Sequence, residues 1–151
     1  MGTRDVGPDA PTIEQAREAL GGRVTTVPSH RVGTGCVFRD SRGRTVEGVV
    51  VCAAEGRLDV WIGDGRFQRI ASERGEPVAL GPDHALADVA ADARVFASLP
   101  EGASVRFVSR DGTEREGVLA ERCRYGALVS SGGRILAVSF RRIWPADGPA
   151  S

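Results

Sequence analysis

The sequence has no lysine: all 20 of its basic residues are arginine, set against 20 acidic residues and two histidines. An exclusively arginine complement reflects first a high-GC coding bias and second a supply of forked, bidentate donors. Because the charges cancel, the total asks for neither a nucleic acid nor a membrane as partner. Long apolar runs are missing as well. No stretch approaches the roughly 18 consecutive apolar residues that a spanning helix needs. Residues 1–10 hold no apolar run of signal-peptide type, so the expected address is the cytoplasm, without membrane contact.

Cysteine is scarce, and its spacing excludes the usual sites. Cys36, Cys52 and Cys123 are odd in number, form no C-x-x-C pair and each lie in an apolar, strand-like run, which predicts free buried thiols. His30 and His84 stand far apart in sequence, so no metal site and no cofactor are expected. Aromatics are few, at five Phe, two Trp and one Tyr, too few to line a methyl-lysine cage.

Catalytic constellations are equally thin. Nucleophilic catalysis needs Ser, Cys or Thr beside a base that a third group orients, and Ser29-His30 has no discernible orienting carboxylate. Glu73/Glu76 and Glu114/Glu116 lie in or beside turns, where solvated carboxylates are the rule. Gly33-Thr34-Gly35 lacks the later glycine and following helix of a phosphate-cradling loop. The expectation is that the chain is not an enzyme.

What the sequence does hold is a repeat. Set over residues 105–120, residues 36–51 match in one register at an offset of 69: Phe38 on Phe107, Gly43 on Gly112, Glu47 on Glu116, Gly48 on Gly117 and Val49 on Val118. Allowing small insertions, Gly56 and Leu58 fall on Gly126 and Leu128, Gly65-Arg66 on Gly133-Arg134, and Pro77 on Pro145. A duplicated unit, 36–77 and 105–145, follows.

Each copy reads as short strands. In the second, Val105 to Ser109 leads through the turn at Asp111-Gly112 into a long strand, Glu116 to Tyr125, which Gly126 breaks. Ala127 to Ser130 follows, then a Gly132-Gly133 hairpin and Arg134 to Phe140, with Leu136, Val138 and Phe140 on the core face. The first copy runs Val37–Asp40, Thr45–Ala54, Leu58–Ile62 and Arg66–Ala71, with Leu58, Val60 and Ile62 inward. Thr12 and Gln15 form a capping box opening a short helix to Leu20. Between the copies, Asp83 reads as the cap of an amphipathic helix to about Ser98, with Leu86, Val89, Ala90, Ala93, Phe96 and Ala97 on one stripe. The expected fold is mainly β: two repeated small antiparallel β-barrel-like units joined by an amphipathic helix, plus a short N-terminal helix. The predicted organisation is frayed residues 1–10, a helix at 11–22, a first unit at 23–80, the connecting helix at 81–100, a second unit at 101–147 and a frayed tail at 148–151. Units this small bury too little surface to be secure alone, so helix and units are expected to share one packed assembly.

The hairpin spacing, the short third strand and the closing Phe140-Arg141-Arg142-Ile143-Trp144-Pro145 together resemble the small barrels of the Src-homology-3, Tudor and KOW superfamily. The resemblance covers roughly 32–78 and 103–146. It implies adaptor or nucleic-acid-associated modules without catalysis. The second unit is also similar to PilZ domains, in which an R-x-x-x-R segment precedes D/N-x-S-x-x-G. Here Arg106 and Arg110 precede Glu121-Arg122-Cys123-Arg124-Tyr125-Gly126, with Glu for Asp, Cys for Ser and a short gap; that likeness implies cyclic di-GMP as ligand.

Three functions are therefore on the table. The leading one is a non-catalytic binding or scaffolding protein whose tandem units engage a protein segment through exposed strand edges or beside Trp144. The second is nucleic-acid association: Arg122, Arg124, Arg141 and Arg142 would form a phosphate-contacting face if the second and last strands of the second unit meet, with Tyr125 or Trp144 to stack a base. The third is a PilZ-like cyclic di-GMP sensor. The candidate binding residues are Arg106, Arg110, Arg122, Arg124, Arg141, Arg142 and Trp144.

Overall fold

In the computed structural model, residues 12–24 and 29–146 are described; the frayed ends expected at 1–10 and 148–151 lie outside them. Thr12 opens helix α1 (Ile13–Ala19) with the anticipated capping box, its hydroxyl accepting from the Gln15 amide and the Gln15 side chain accepting from the Thr12 amide.

The first unit comprises β1 (Gly35–Arg39), β2 (Thr45–Ala54), β3 (Arg57–Gly63), β4 (Arg66–Ala71), a single 3-10 turn (Ser72–Arg74) and β5 (Glu76–Val78). Helix α2 (Ala87–Ala97) follows. The second unit repeats the plan with β6 (Ser104–Val108), β7 (Glu114–Arg122), β8 (Gly126–Ser131), β9 (Arg134–Ser139), a 3-10 turn (Phe140–Arg142) and β10 (Ile143–Pro145). The protein is mainly β, two five-stranded antiparallel sheets with strand orders β4-β3-β2-β1-β5 and β9-β8-β7-β6-β10. In each, the last strand folds back onto the first, and the ladder stays open between the two outer strands.

Pairing reproduces the repeat residue by residue. Cys36 stands between Gly48 and Pro77, and Val105 between Gly117 and Pro145. The β2–β3 ladder slips between Val50 and Cys52, and the β7–β8 ladder slips at the same place, between Leu119 and Glu121. One part of the alignment shifts. Leu58 pairs with Ala53 and Ala127 with Arg122, so Leu58 corresponds to Ala127 and Asp59 to Leu128. Matching by residue type had placed Leu58 on Leu128; the ladder holds the 69 offset into the third strand.

Two boundaries also differ from expectation. Gly126 opens β8 rather than breaking a strand, because the backbone of Val138 passes so close that an added Cβ would lie 2.1 Å from its carbonyl oxygen. Helix α2 starts at Ala87, not at Asp83. The chain first turns, with the His84 amide bonded to the Gly81 carbonyl and the Ala87 amide to the His84 carbonyl, and His84 Nδ1 takes the Leu86 amide at 3.0 Å. The imidazole holds this turn, and no side chain caps α2 at its N-cap residue, Leu86. Ala97, at the far end, is exposed rather than part of the stripe.

Two of the cores belong to single units. Cys36, Phe38, Val50, Leu58, Val60 and Ile70 fill the first unit, and Ala16, Leu20, Cys123 and Leu128 join α1 to the second. The third is shared: Val89, Ala90, Ala93, Phe96 and Leu99 from α2 and its end pack both on the interior of the second unit, around Phe107, Leu119 and Phe140, and on Val49 and Val51 from the outer face of β2. Helix and both units are one packed assembly. Among the described residues no helix is long and apolar enough to cross a membrane.

Candidate binding surface

The junction between the units decides which arginines are available. Asp59 lies on the outer face of β3, between Leu58 and Val60 that point into the first core, and is 1% exposed. Its Oδ1 accepts from Arg69 Nε at 3.0 Å and from the Tyr125 hydroxyl at 3.2 Å, while Oδ2 receives Arg124 Nη1 at 3.2 Å. Arg124 also reaches Glu55 at 3.5 Å. A buried carboxylate survives only with such compensation. The Tyr125 ring stacks on Phe67 with centroids 3.8 Å apart, and Phe140 meets Phe67 edge-on at 6.2 Å. Burial, and after it the charge of Asp59, pushes the neighbouring Cys52 thiol up to about 11 and raises the Tyr125 hydroxyl from its ordinary value.

Arg122 closes α2. Its guanidinium donates to the Phe96 carbonyl at 2.8 Å and to the Leu99 carbonyl, lying 4.2 Å over the Phe96 ring, and burial lowers its proton affinity. Orphan carbonyls at a helix end call for a donor of this kind. Arg141 pairs with Asp92 of α2 at 2.7 Å and sits 5.8 Å from the Trp61 ring. Three of the four arginines expected to form a phosphate-contacting face therefore point into the junction or onto α2. The physical reason is that the end of β7 and the second 3-10 turn are where the second unit abuts the first unit and the helix.

The segment likened to a nucleotide-binding turn is similarly occupied. Glu121 takes two bonds from Arg17 of α1, which hold its carboxyl below the usual range, and Cys123 is buried beside Ala16 and Leu20, its thiol pushed up to about 11 by burial. Arg106, on β6, stays with the second sheet's own face, 3.6 Å from Glu114 and 3.4 Å from the Pro145 carbonyl.

The structure does bring two candidate residues together. Arg106 and Trp144 are cross-strand partners on β6 and β10, both partly exposed, with Glu116 across β7 in the same row. Arg110 and Arg142 are exposed and have no side-chain partner among the described residues. Of the seven candidates, Arg106 and Trp144 share a surface, Arg110 and Arg142 remain open to solvent, and Arg122, Arg124 and Arg141 are internal ties.

Sequence reasoning missed Asp59, for which an acid inside the apolar alternation of Leu58 to Ile62 was the available signal. It also missed a cluster in the first unit. Arg39, Arg42, Arg44 and Arg74 are all exposed around the β1–β2 hairpin and the first 3-10 turn, and the density of arginine in residues 39–44 was the sign. Arg74 Nη2 donates to the Arg39 carbonyl at 2.6 Å and Arg39 Nη1 to the Gly43 carbonyl at 3.0 Å. Arg31 bonds the Ser72 and Gly75 carbonyls at 3.1 and 2.8 Å and so braces the turn that carries Arg74.

Among the described residues no group of three or more His, Cys, Asp or Glu is placed to hold a metal ion. The concavity beside α1, lined by Glu14, Arg17, Glu18, Gly21 and Gly22, is a shallow, open depression. Comparison with known proteins finds no protein-family profile that matches the chain and no curated protein significantly similar to it.

Proposed function

We propose that the chain is a non-catalytic, cytoplasmic binding or scaffolding protein of the tandem small-barrel kind, allied in layout to Src-homology-3, Tudor and KOW modules, that engages a protein segment. The observation that carries this reading is the repeated ladder. Both units have five short antiparallel strands, the same order, the same slip in the second strand and one 3-10 turn before a fifth strand that returns to the first. Among the described residues each unit leaves its two outer strands with one unpaired side, and an extended peptide adds to such an edge through main-chain hydrogen bonds. On the second unit the partly exposed Trp144 beside Arg106 supplies an anchor of the type that dominates peptide interfaces.

The nucleic-acid reading is weaker on this geometry, because Arg122, Arg124 and Arg141 are spent on carbonyls and carboxylates of the same chain. Cyclic di-GMP loses its turn in the same way, to Arg17 and α1.

Selection of a displayed peptide library on the full chain, followed by mapping of amide shifts with the selected peptide, tests the reading. Shifts on the outer strands and around Trp144 are expected, with Trp144→Ala weakening the peptide at least about ten-fold. Failure to enrich any peptide overturns it, as does turnover of a substrate that a single Ser, His or Glu substitution abolishes.

A further inference from the structure

Both units turn the same two corners, at the hairpin after the first strand and at the 3-10 turn before the fifth, and both carry arginine there, but the hairpin arginines of the first unit stand at positions where the second has none. Arg39, Arg42, Arg44 and Arg74 correspond, one repeat later, to Val108, Asp111, Thr113 and Arg142. The ladder is shared and the three hairpin charges are not, so Arg39, Arg42 and Arg44 are no requirement of the fold.

Their arrangement leaves guanidinium donors unspent. The acids among these arginines are Asp40 and Glu73, with Glu47 and Glu76 on either side of Val37 one row further along and Glu47 facing His84 at 3.6 Å. The Asp40 carboxylate accepts from the Arg42 and Arg44 amides, both at 2.9 Å, and faces Arg44 Nε at 3.4 Å; the amide bonds hold it below the usual carboxylate range. Arg39 and Arg74 place one guanidinium nitrogen each on a backbone carbonyl, which fixes the stems and leaves the remaining N–H donors of each fork outward. Arg42 has no side-chain partner among the described residues. The mount is stiff as well, because Arg31 ties both ends of the 3-10 turn.

Resting on the protein-binding reading, we infer that this end of the first unit is the docking site for an acidic protein segment, whose carboxylates meet the Arg39, Arg42, Arg44 and Arg74 forks. Guanidinium and carboxylate are matched for bidentate pairing, and an exposed set of this kind confers fast, salt-sensitive association. Two features favour a polypeptide over a nucleic acid. Asp40 and Glu73 interrupt the arginines, which a discrete set of side-chain carboxylates can step around and an unbroken row of phosphates cannot. Among the described residues no exposed aromatic accompanies them for a base to stack on, since the adjacent Phe38 is 3% exposed.

The test is fluorescence anisotropy with the full chain and two labelled probes, a ten-residue peptide alternating Glu and Ser and a thymidine oligonucleotide of equal charge. At about 20 mM salt the peptide is expected to bind, and to weaken several-fold at about 200 mM. Arg42→Glu, which removes no internal contact, is expected to cost at least about five-fold, and Arg42→Glu with Arg74→Glu more than about ten-fold. The exposed second-unit pair Arg110→Glu with Arg134→Glu is the control, with less than about two-fold change. An equal loss in the control, no peptide binding at low salt, or tighter binding of the oligonucleotide overturns the inference. If the library peptide still depends on Trp144 while the acidic peptide fails, the binding-module reading stands and this site alone falls.

Discussion

The first unit buries a carboxylate where the second buries a leucine. Asp59 and Leu128 occupy the same place in the ladder, on the outer face of the third strand, and both are nearly inaccessible at 1% and 2%. What differs is the cover. Over Leu128 lies α1, with Ala16 and Leu20, so an aliphatic side chain completes an apolar contact. Over Asp59 lie Arg124 and Tyr125 of the other unit, so a charge completes a polar one. The neighbouring pair Val49 and Val118 makes the same point: Val49 is fully buried under α2, and Val118, its equivalent, is 44% exposed. An antiparallel ladder fixes which side chains face its interior and is indifferent to those outside, which take their chemistry from whatever docks there.

Three sets of substitutions break or sharpen this contrast. The largest effect is expected from Phe96→Ala. Its ring is 1% exposed in the core shared by helix and units, and a loss of about 3–5 kcal/mol in urea unfolding follows from transfer and cavity terms. Both units should then melt in one transition; separate transitions would show that α2 does not unite them. Next comes Asp59→Leu, which gives the first unit the residue of the second. Removing the acceptor leaves Arg124, whose side chain is 14% exposed, with only the exposed Glu55 at 3.5 Å, and a loss of about 3 kcal/mol is expected. Adding Arg124→Leu should recover part of it, and strict additivity of the two changes would dismiss the coupling. Smallest is the valine pair. Val49→Ala should cost about 2 kcal/mol and Val118→Ala under about 0.5. Equal costs would show that α2 covers neither face or both.

The strands and the duplication were legible because alternation and identity are local properties. Val105 and Phe107 inward, with Arg106 outward between them, follows from a period of two, as does the burial of Leu58 and Val60. The helix start was misread because Asp83 has the composition of an N-cap, while Gly81, Pro82 and His84 first make a turn whose geometry no residue type announces. The fates of Arg122, Arg124 and Arg141 were illegible for a different reason. Each is settled by a partner far along the chain, Phe96 and Leu99, Asp59 or Asp92, and by the way one unit settles on the other. Asp59 stood out only as an acid in an apolar strand, which periodicity assigns to solvent.

The helix between the units is a wall of the second core, with no slack in it. Two ligand sites joined by a loose tether find each other's ligands through an effective concentration set by tether length. Here that variable is gone: Trp144 and the arginine corner of the first unit are held at one separation and one angle, like marks on a ruler. A partner that used both proposed sites would have to be cut to that measure, and lengthening its own spacer past the fit should weaken it.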